Sequence, residues 1–199
     1  GITEEQISAG RRAYELDRKH VFHSWSAQDQ ISPMTVLDAE GSWIWDGEGN
    51  RLLDFTSQLM YTNVGHKHPK VISAIQQQAQ KLCTVAPQHA NDARSEAARL
   101  ITERLPADIN YVFFTNGGAD ANEHAVRMAR LHTGRQKVLS AYRSYHGGTQ
   151  LAINLTGDPR RLASGHEAND VLHFLPAYTY RSYFGAQNEK QEADLALNH

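Results

Sequence analysis

Apolar and polar positions along this chain follow two different periods, and the change of period organises it. Over residues 3–20 the apolar side chains recur with a helical repeat, placing Ile7, Tyr14 and Ala13 toward the protein and the charges elsewhere. Three short runs follow, Thr35-Val-Leu-Asp-Ala, Ser42-Trp-Ile-Trp-Asp and Arg51-Leu-Leu-Asp-Phe-Thr. The second and third are joined by the turn residues Asp46-Gly-Glu-Gly-Asn50, so the spacing predicts an antiparallel meander. Helices are predicted over Pro69–Leu82, striped by Ile72, Ile75, Ala79 and Leu82, and over Asn91–Leu105, striped by Ala93, Ala97, Leu100 and Ile101. From there strand and helix alternate. A strand is expected at 110–115, then a helix opening at Gly118 that lays Ala121, Ala125, Met128 and Ala129 on a sheet, then a strand at 137–142. A polar loop over 156–170, a short strand at 171–175 and a helix from Asn188 complete the pattern. This alternation implies a parallel α/β sheet. Residues 1–65 and 66–199 are therefore read as two structural regions, one antiparallel and one α/β.

Composition narrows the function classes. With 199 residues, 40% hydrophobic and 21% charged, the chain can bury a substantial core, and a formal net charge of −2 gives no electrostatic basis for binding nucleic acid or an anionic membrane. Cys83 is the lone cysteine, which rules out an intrachain disulfide and a thiolate metal cluster and fits a reducing compartment, so the expected location is cytoplasmic. No apolar stretch has the length of a membrane span, and Gly1-Ile-Thr-Glu-Glu-Gln lacks the features of a signal peptide. His66-Lys67-His68 is read as polar loop before Pro69 rather than as a metal site, because no Asp, Glu or Cys lies close in sequence to complete a ligand set.

The candidate chemistry lies at two junctions. In Tyr111-Val-Phe-Phe-Thr-Asn-Gly-Gly118 an apolar strand stops at a glycine pair and a helix begins, which sets unpartnered N–H groups and the positive end of a helix dipole around a point where a ligand can approach the main chain. The dinucleotide pattern G-x-G-x-x-G and the P-loop G-K-[ST] are both absent, so a single phosphate suits the loop better than a pyrophosphate. A tight turn chosen only for packing is the competing reading. After the next strand, Tyr145-His146-Gly147-Gly148 offers an aromatic ring and an imidazole at a strand's carboxyl end, where open parallel sheets bind ligands. Together the two loops suggest a phosphorylated aromatic cofactor.

Phe113-Phe-Thr-Asn-Gly-Gly-Ala-Asp-Ala-Asn-Glu-His-Ala-Val-Arg-Met-Ala-Arg130 and Tyr142-Arg-Ser-Tyr-His-Gly-Gly-Thr149 closely resemble the class III aminotransferases, pyridoxal-phosphate enzymes of fold type I. The likeness extends through Asp54-Phe-Thr-Ser-Gln-Leu-Met-Tyr-Thr-Asn-Val-Gly-His-Lys-His-Pro69 to Gly157-Asp-Pro-Arg-Arg161, roughly residues 20–185. It implies an α/β fold made of the small-domain meander (1–65) and the first part of the mostly parallel large-domain sheet (66–199). It also implies that Gly117, Gly118 and Ala119 seat the cofactor phosphate. Ala119 stands where Ser or Thr is common, so a hydroxyl contact would be missing. Asp120 would support the cofactor region, Tyr145 would stack on the pyridine ring, His146 and Gly147 would lie beside it, and Met60 and Trp25 would line the substrate pocket. For Met60 and Trp25, core packing remains the alternative.

The implied reaction moves an amino group from a small amine or ω-amino acid to a 2-oxo acid such as pyruvate, in a homodimer, and the Asn-Gly-Gly-Ala-Asp-Ala-Asn variant looks most like branches using taurine or similar ω-amino compounds. Transamination needs a lysine to hold the cofactor covalently and a carboxylate to keep the pyridinium charged. Neither Lys19, Lys67, Lys70, Lys81, Lys137 nor Lys190 sits in the Ala-Lys-Gly-like context the family uses. The 199 residues are therefore expected to be the N-terminal part of a longer protein, inactive alone, with Tyr111–Thr115 lacking a neighbouring strand. Two other classes stay open at this point: a non-catalytic remnant or dimerising subunit, and a phosphate-ligand binding module of another fold.

Overall fold

Thr3 and Gln6 exchange hydrogen bonds, Thr3 N–H to Gln6 Oε1 at 2.9 Å and Gln6 N–H to Thr3 Oγ1 at 3.2 Å, and so close the first turn of helix α1 (Glu4–His20). The computed structural model describes residues 1–164 and 170–199, which form two compact units, Gly1–Asn91 and Asp92–His199. In the first unit α1 lies on strand β1 (Val36–Glu40) through its buried residue Gly10, where any side chain would run into that of Leu37. The expected inward face is thus centred on Gly10 and Ile7. Ala13 is exposed, and Tyr14 reaches Ser32 Oγ at 3.1 Å.

Strands β1, β2 (Trp43–Asp46) and β3 (Arg51–Leu53) form the predicted antiparallel meander, with Ala39 opposite Ile44 and Ile44 opposite Leu52. Asp46 shapes its second turn: Oδ1 accepts the N–H groups of Glu48 and Asn50, both at 2.9 Å, and Gly49 takes the left-handed conformation the turn needs (φ 84°). The hydrogen bond from the Asn50 side chain holds the Asp46 carboxyl below its usual range. A four-residue turn follows, α2 (Ser57–Met60), and then helix α3 (Pro69–Lys81), whose Pro69 occupies the first helical turn. The α3 stripe is open: Ile72 and Ile75 are 40% and 63% exposed.

The second unit holds helices α4 (Asp92–Thr102) and α5 (Gly118–Thr133), strand β4 (Val138–Ala141), the short helix α6 (Gln150–Leu155), strand β5 (Val171–Phe174) and helix α7 (Glu189–Asn198). Strands β4 and β5 pair in parallel, Val138 beside Val171 through Ala141 beside Phe174. Three-residue-per-turn segments at Pro159–Ala163 and Thr179–Arg181 break the loops after α6 and β5. The part of the expected 156–170 loop at 165–169 lies outside the described residues.

Two expectations are corrected here. Residues 110–115 are not a strand: no described residue pairs with the backbone of Tyr111–Thr115, and Tyr111 is 93% exposed. An extended segment becomes a strand only when a neighbour takes up its N–H and C=O groups. The stripe Ala121, Ala125, Met128 and Ala129 on α5 is exposed for the same reason, since the sheet under it stops at β4 and β5. The half-buried face of α5 instead carries Asn122, Glu123, Val126 and Arg130.

Burial concentrates in α6, which the periodicity did not reveal. Ala152, Ile153, Leu155 and the following Thr156 are at most 6% exposed. Gln150-Leu-Ala-Ile-Asn-Leu155 is short and buried nearly all round, so it shows no stripe. Its end is tied to β4 by Ser140, whose hydroxyl donates to the Leu155 carbonyl at 2.6 Å. No helix among the described residues is long and apolar enough to cross a membrane.

Gly157 closes this core: a Cβ there would lie 2.5 Å from Tyr142 Cα and 2.9 Å from the Tyr142 carbonyl carbon, both main-chain atoms that cannot turn aside. Gly157→Ala is expected to lose about 1–3 kcal/mol of stability by overpacking, read as a lower urea midpoint. An unchanged midpoint would show that the backbone yields freely here.

Candidate functional site

The two loops singled out in the sequence meet in the second unit. Gly147 is buried with φ 131°, a conformation glycine takes readily, and its main chain lies on Ala119. A Cβ on Gly147 would be 2.8 Å from Ala119 Cα and 3.0 Å from Ala152 Cβ. The loop after β4 is therefore seated on the first turn of α5. Asn122, one turn along α5, donates from Nδ2 to the His146 carbonyl at 2.8 Å, and the His146 N–H donates to Thr156 Oγ1 at 3.0 Å. The His146 peptide is thus held from both sides.

Glu123 binds the same assembly from the next position. Its Oε1 accepts from the Thr149 hydroxyl at 2.6 Å and from the N–H groups of Leu151 at 2.8 Å and Ala152 at 3.2 Å, so one carboxylate on α5 caps the start of α6. Neither Asn122 nor Glu123 stood out in the sequence as a positioning group. The local signal is polarity alone, Glu123 lying opposite the alanine stripe of α5 and Asn122 at its edge.

At the start of α5, the first intrahelical bond from this end is Ala121 N–H to the Gly117 carbonyl at 2.9 Å. The N–H groups of Gly118, Ala119 and Asp120 make no hydrogen bond to a described residue, and the space a side chain would fill at Gly117 and Gly118 is open. Three main-chain donors at the positive end of a 16-residue helix could hold an anion of phosphate size. The Asp120 carboxylate is turned back from it: Oδ2 accepts the Asn116 N–H at 3.2 Å and Oδ1 stands 3.4 Å from His124 Nε2. Asp120 braces the junction, and its charge is partly engaged by those two groups.

Tyr145 stands at the carboxyl end of β4 and is 43% exposed. The Arg160 guanidinium covers one face of its ring, 4.0 Å from the centroid. Arg160 is bound to the Asp158 carboxylate through both Nε and Nη2, an arrangement that holds the Asp158 carboxyl below its usual range and raises Arg160. Gly157-Asp-Pro-Arg-Arg161 carries no local sequence signal for this contact, which needs Tyr145 brought beside Arg160 by the fold.

Trp25 and Met60 belong to the first unit, and both have left-handed backbone, φ 57° and 69°. The turn carrying Trp25 is clasped by the Gln28 side chain, which accepts from the His23 N–H at 2.9 Å and donates to the carbonyls of His23 (2.6 Å) and Ser26 (2.7 Å). His23 Nε2 lies 2.8 Å from Asp17 Oδ1. Met60 ends the run Ser57, Gln58, Leu59, Met60, in which every φ lies between 49° and 69°. Such a run of side-chain-bearing residues costs roughly 1–2 kcal/mol each. Beside it His66 Nε2 is 2.7 Å from Asp54 Oδ2, and the pair is half-buried, with 14% and 3% of the two side chains exposed. The hydrogen bond from His66 holds the Asp54 carboxyl below its usual range, against the opposing effect of burial.

A family model described as aminotransferase class-III matches residues 25–197. An acetylornithine aminotransferase of Methanopyrus kandleri is 36% identical over 147 residues, 74% of this chain and 37% of that protein. A 5-aminovalerate aminotransferase of Pseudomonas aeruginosa is 39% identical over 130 residues, 64% of this chain and 30% of that protein. Among solved structures, the taurine:2-oxoglutarate aminotransferase of Bifidobacterium kashiwanohense, in complex with PLP and glutamate, superposes with a TM-score of 0.86 at 37% identity over 95% of this chain and 43% of its own. An (S)-enantioselective omega-transaminase of Thermomicrobium roseum gives a TM-score of 0.88 at 26% identity, over 94% and 44%. The chain spans less than half the length of each of these relatives.

Gly147→Ala is expected to force the two loops apart and to lower the melting temperature by an overpacking cost of about 1–3 kcal/mol; full retention of stability would mean that the loop can rest elsewhere. The depressed Asp54 carboxyl stabilises the folded state above the ordinary carboxylate value near ~3.9, and that contribution disappears as pH falls through the folded-state value. Thermal melts between pH 5 and pH 2 should accordingly show a shallower acid loss in Asp54→Asn than in the unmodified protein, whereas parallel curves would remove Asp54 from the acid response.

Proposed function

The chain belongs to the class-III aminotransferases, and from that premise we propose that it is the portion of a transaminase that seats pyridoxal phosphate and lines the amine pocket. The observation that carries this reading is the contact of Gly147 on Ala119, which sets an open ring of main-chain donors and an aromatic side chain on one platform. The residues fit the group. Gly118, Ala119 and Asp120 supply N–H donors to a phosphate, and Ala119 supplies no hydroxyl, so the seat relies on backbone alone. Tyr145, whose ring centroid lies 4.0 Å from the Arg160 guanidinium, is the proposed stacking partner of the pyridine ring. His146 and Gly147 border it, and Asp120 stiffens the junction beneath. Trp25 and Met60 are the proposed walls of the amine pocket.

Pyridoxal phosphate supplies an electron sink for the bonds around the amino-bearing carbon. This chain's own residues orient it. The donors fix the phosphate end, Tyr145 fixes the plane of the ring, and Asn122 and Thr156 hold the peptide of the neighbouring His146. Of the lysines in the second unit, Lys137 adjoins the start of β4, the end away from Tyr145, and Lys190 is paired with Asp194 at 2.6 Å. We infer that the lysine that holds the cofactor, the carboxylate at its ring nitrogen and the strand that pairs with Tyr111–Thr115 come from polypeptide outside these residues, and that the chain alone turns nothing over. A homodimer in the cytoplasm completes the proposal, the single cysteine fitting that compartment.

An ω-amino acid donor and a 2-oxo acid acceptor are proposed, a reading supported by relatives named for acetylornithine, 5-aminovalerate and taurine with 2-oxoglutarate. The test is amino transfer by the full-length protein, loaded with pyridoxal phosphate, from taurine, 5-aminovalerate and acetylornithine to pyruvate and to 2-oxoglutarate. Formation of the matching amino acid from at least one pair is expected, and loss of cofactor binding together with no transfer from any donor would sink the reading. Tyr145→Ala should weaken cofactor affinity by about 0.5–1.5 kcal/mol, up to roughly tenfold; an unchanged affinity would remove the stacking role.

A further inference from the structure

The excursion from Phe55 to Gly65 combines two properties that oppose each other. Its backbone is pinned and strained, while its apolar side chains face solvent. Asp54 anchors one end, with its N–H donating to the Ser42 carbonyl at 2.9 Å, and His66 anchors the other by exchanging two backbone hydrogen bonds with Gly41, at 2.8 and 3.1 Å. The side chains of these same two anchors then meet, Asp54 Oδ2 to His66 Nε2 at 2.7 Å, and close the loop at its neck. The other carboxylate oxygen, Oδ1, accepts the Gln58 N–H at 3.3 Å and the Thr56 hydroxyl at 3.5 Å. One buried carboxylate therefore reaches both the neck and the first residues of the left-handed run.

Inside the loop, Met60 N–H donates to the Thr56 carbonyl at 2.9 Å, Tyr61 and Thr62 N–H to the Ser57 carbonyl at 3.1 and 3.2 Å, and the hydroxyls of Ser57 and Thr62 lie 2.7 Å apart. Nothing apolar holds it: Phe55, Leu59, Met60 and Tyr61 are 72–91% exposed. A left-handed run at four side-chain-bearing residues persists only when its surroundings over-determine it, and such strain marks functional sites more often than packing needs. Polar restraint at the neck is what over-determines it here.

We propose that Asp54 and His66 are positioning residues that hold the Ser57–Met60 turn in its left-handed form and thereby set the placement of Met60 toward the amine substrate. The proposal rests on the reading of Met60 as a wall of the amine pocket. It assigns no chemical step to either residue. It requires that loss of the pair disturb substrate affinity while leaving the cofactor seat, built by other residues, intact.

The test uses the full-length holoenzyme with His66→Ala and with His66→Gln, the latter keeping an N–H donor for Asp54. In His66→Ala the KM for the amine donor should rise about tenfold with kcat and pyridoxal-phosphate affinity nearly unchanged, and amide exchange at Gln58, Met60, Tyr61 and Thr62 should accelerate at least about tenfold as the turn opens. His66→Gln should restore both. Combining His66→Ala with Met60→Ala should give the KM of Met60→Ala alone, because both changes act through one side chain. Additive effects, or an unaltered KM, would overturn the substrate part of the proposal. Unaltered exchange would overturn the positioning part. If His66→Ala does not fold, Asp54→Asn is read against His66→Gln by the same two measurements. An unmodified protein that transfers no amino group would defeat the transaminase reading separately, and the exchange rates would still decide whether the pair holds the turn.

Discussion

Main chain resting on main chain is the condition for everything in the second unit. Gly147 lies so close to Ala119 that no side chain could stand between them, and only this approach lets the loop after β4 and the first turn of α5 share one surface. Apolar packing is limited here, since full burial is confined to a few residues, Ala152 and Thr156 at helix α6 and Glu192 of α7, and much of α5 is open. The apposition is instead secured by directional bonds from α5: Asn122 to the His146 carbonyl and Glu123 to the start of α6. These bonds have defined lengths and angles, so they fix position more sharply than area burial does.

The first unit solves a related problem with different means. Its turns at Trp25 and Ser57–Met60 are conformations the chain would not choose locally, and each lies beside an Asp–His contact, Asp17 with His23 and Asp54 with His66. Polar side chains from regular or anchored segments thus impose shape on irregular ones in both units. The arrangement keeps apolar side chains available at the surface instead of consuming them in the loop's own stability.

Regular elements with a clear stripe or turn signature were legible in the sequence, among them α1, the meander around Asp46–Asn50, α3 opening at Pro69, and the parallel pair β4 and β5. The glycine pair and the Tyr145 loop were also visible, as was the lack of a partner for Tyr111–Thr115. What stayed hidden depends on groups far apart in the chain. Glu123 reads as one more polar helix residue until Leu151 and Ala152 arrive beside it, and Arg160 gains meaning only over the Tyr145 ring. Helix α6 escaped because complete burial erases the periodicity by which helices are recognised. The left-handed run escaped because Ser57-Gln-Leu-Met60 contains no glycine to announce it.

Tyr111-Val-Phe-Phe-Thr115 has a kinetic consequence. It is an uncharged, proline-free ribbon rich in β-forming side chains, with both edges unpaired among the described residues. Such a ribbon accepts any complementary edge, including the same ribbon of another chain. If the partner strand proposed above lies in the same polypeptide, two reactions compete for the ribbon during biosynthesis: a first-order closure with that strand, and a second-order association whose rate grows with the concentration of unfinished chains. A low rate of chain initiation or a chaperone that shields this segment should each raise the yield of usable protein, without any change in the finished fold.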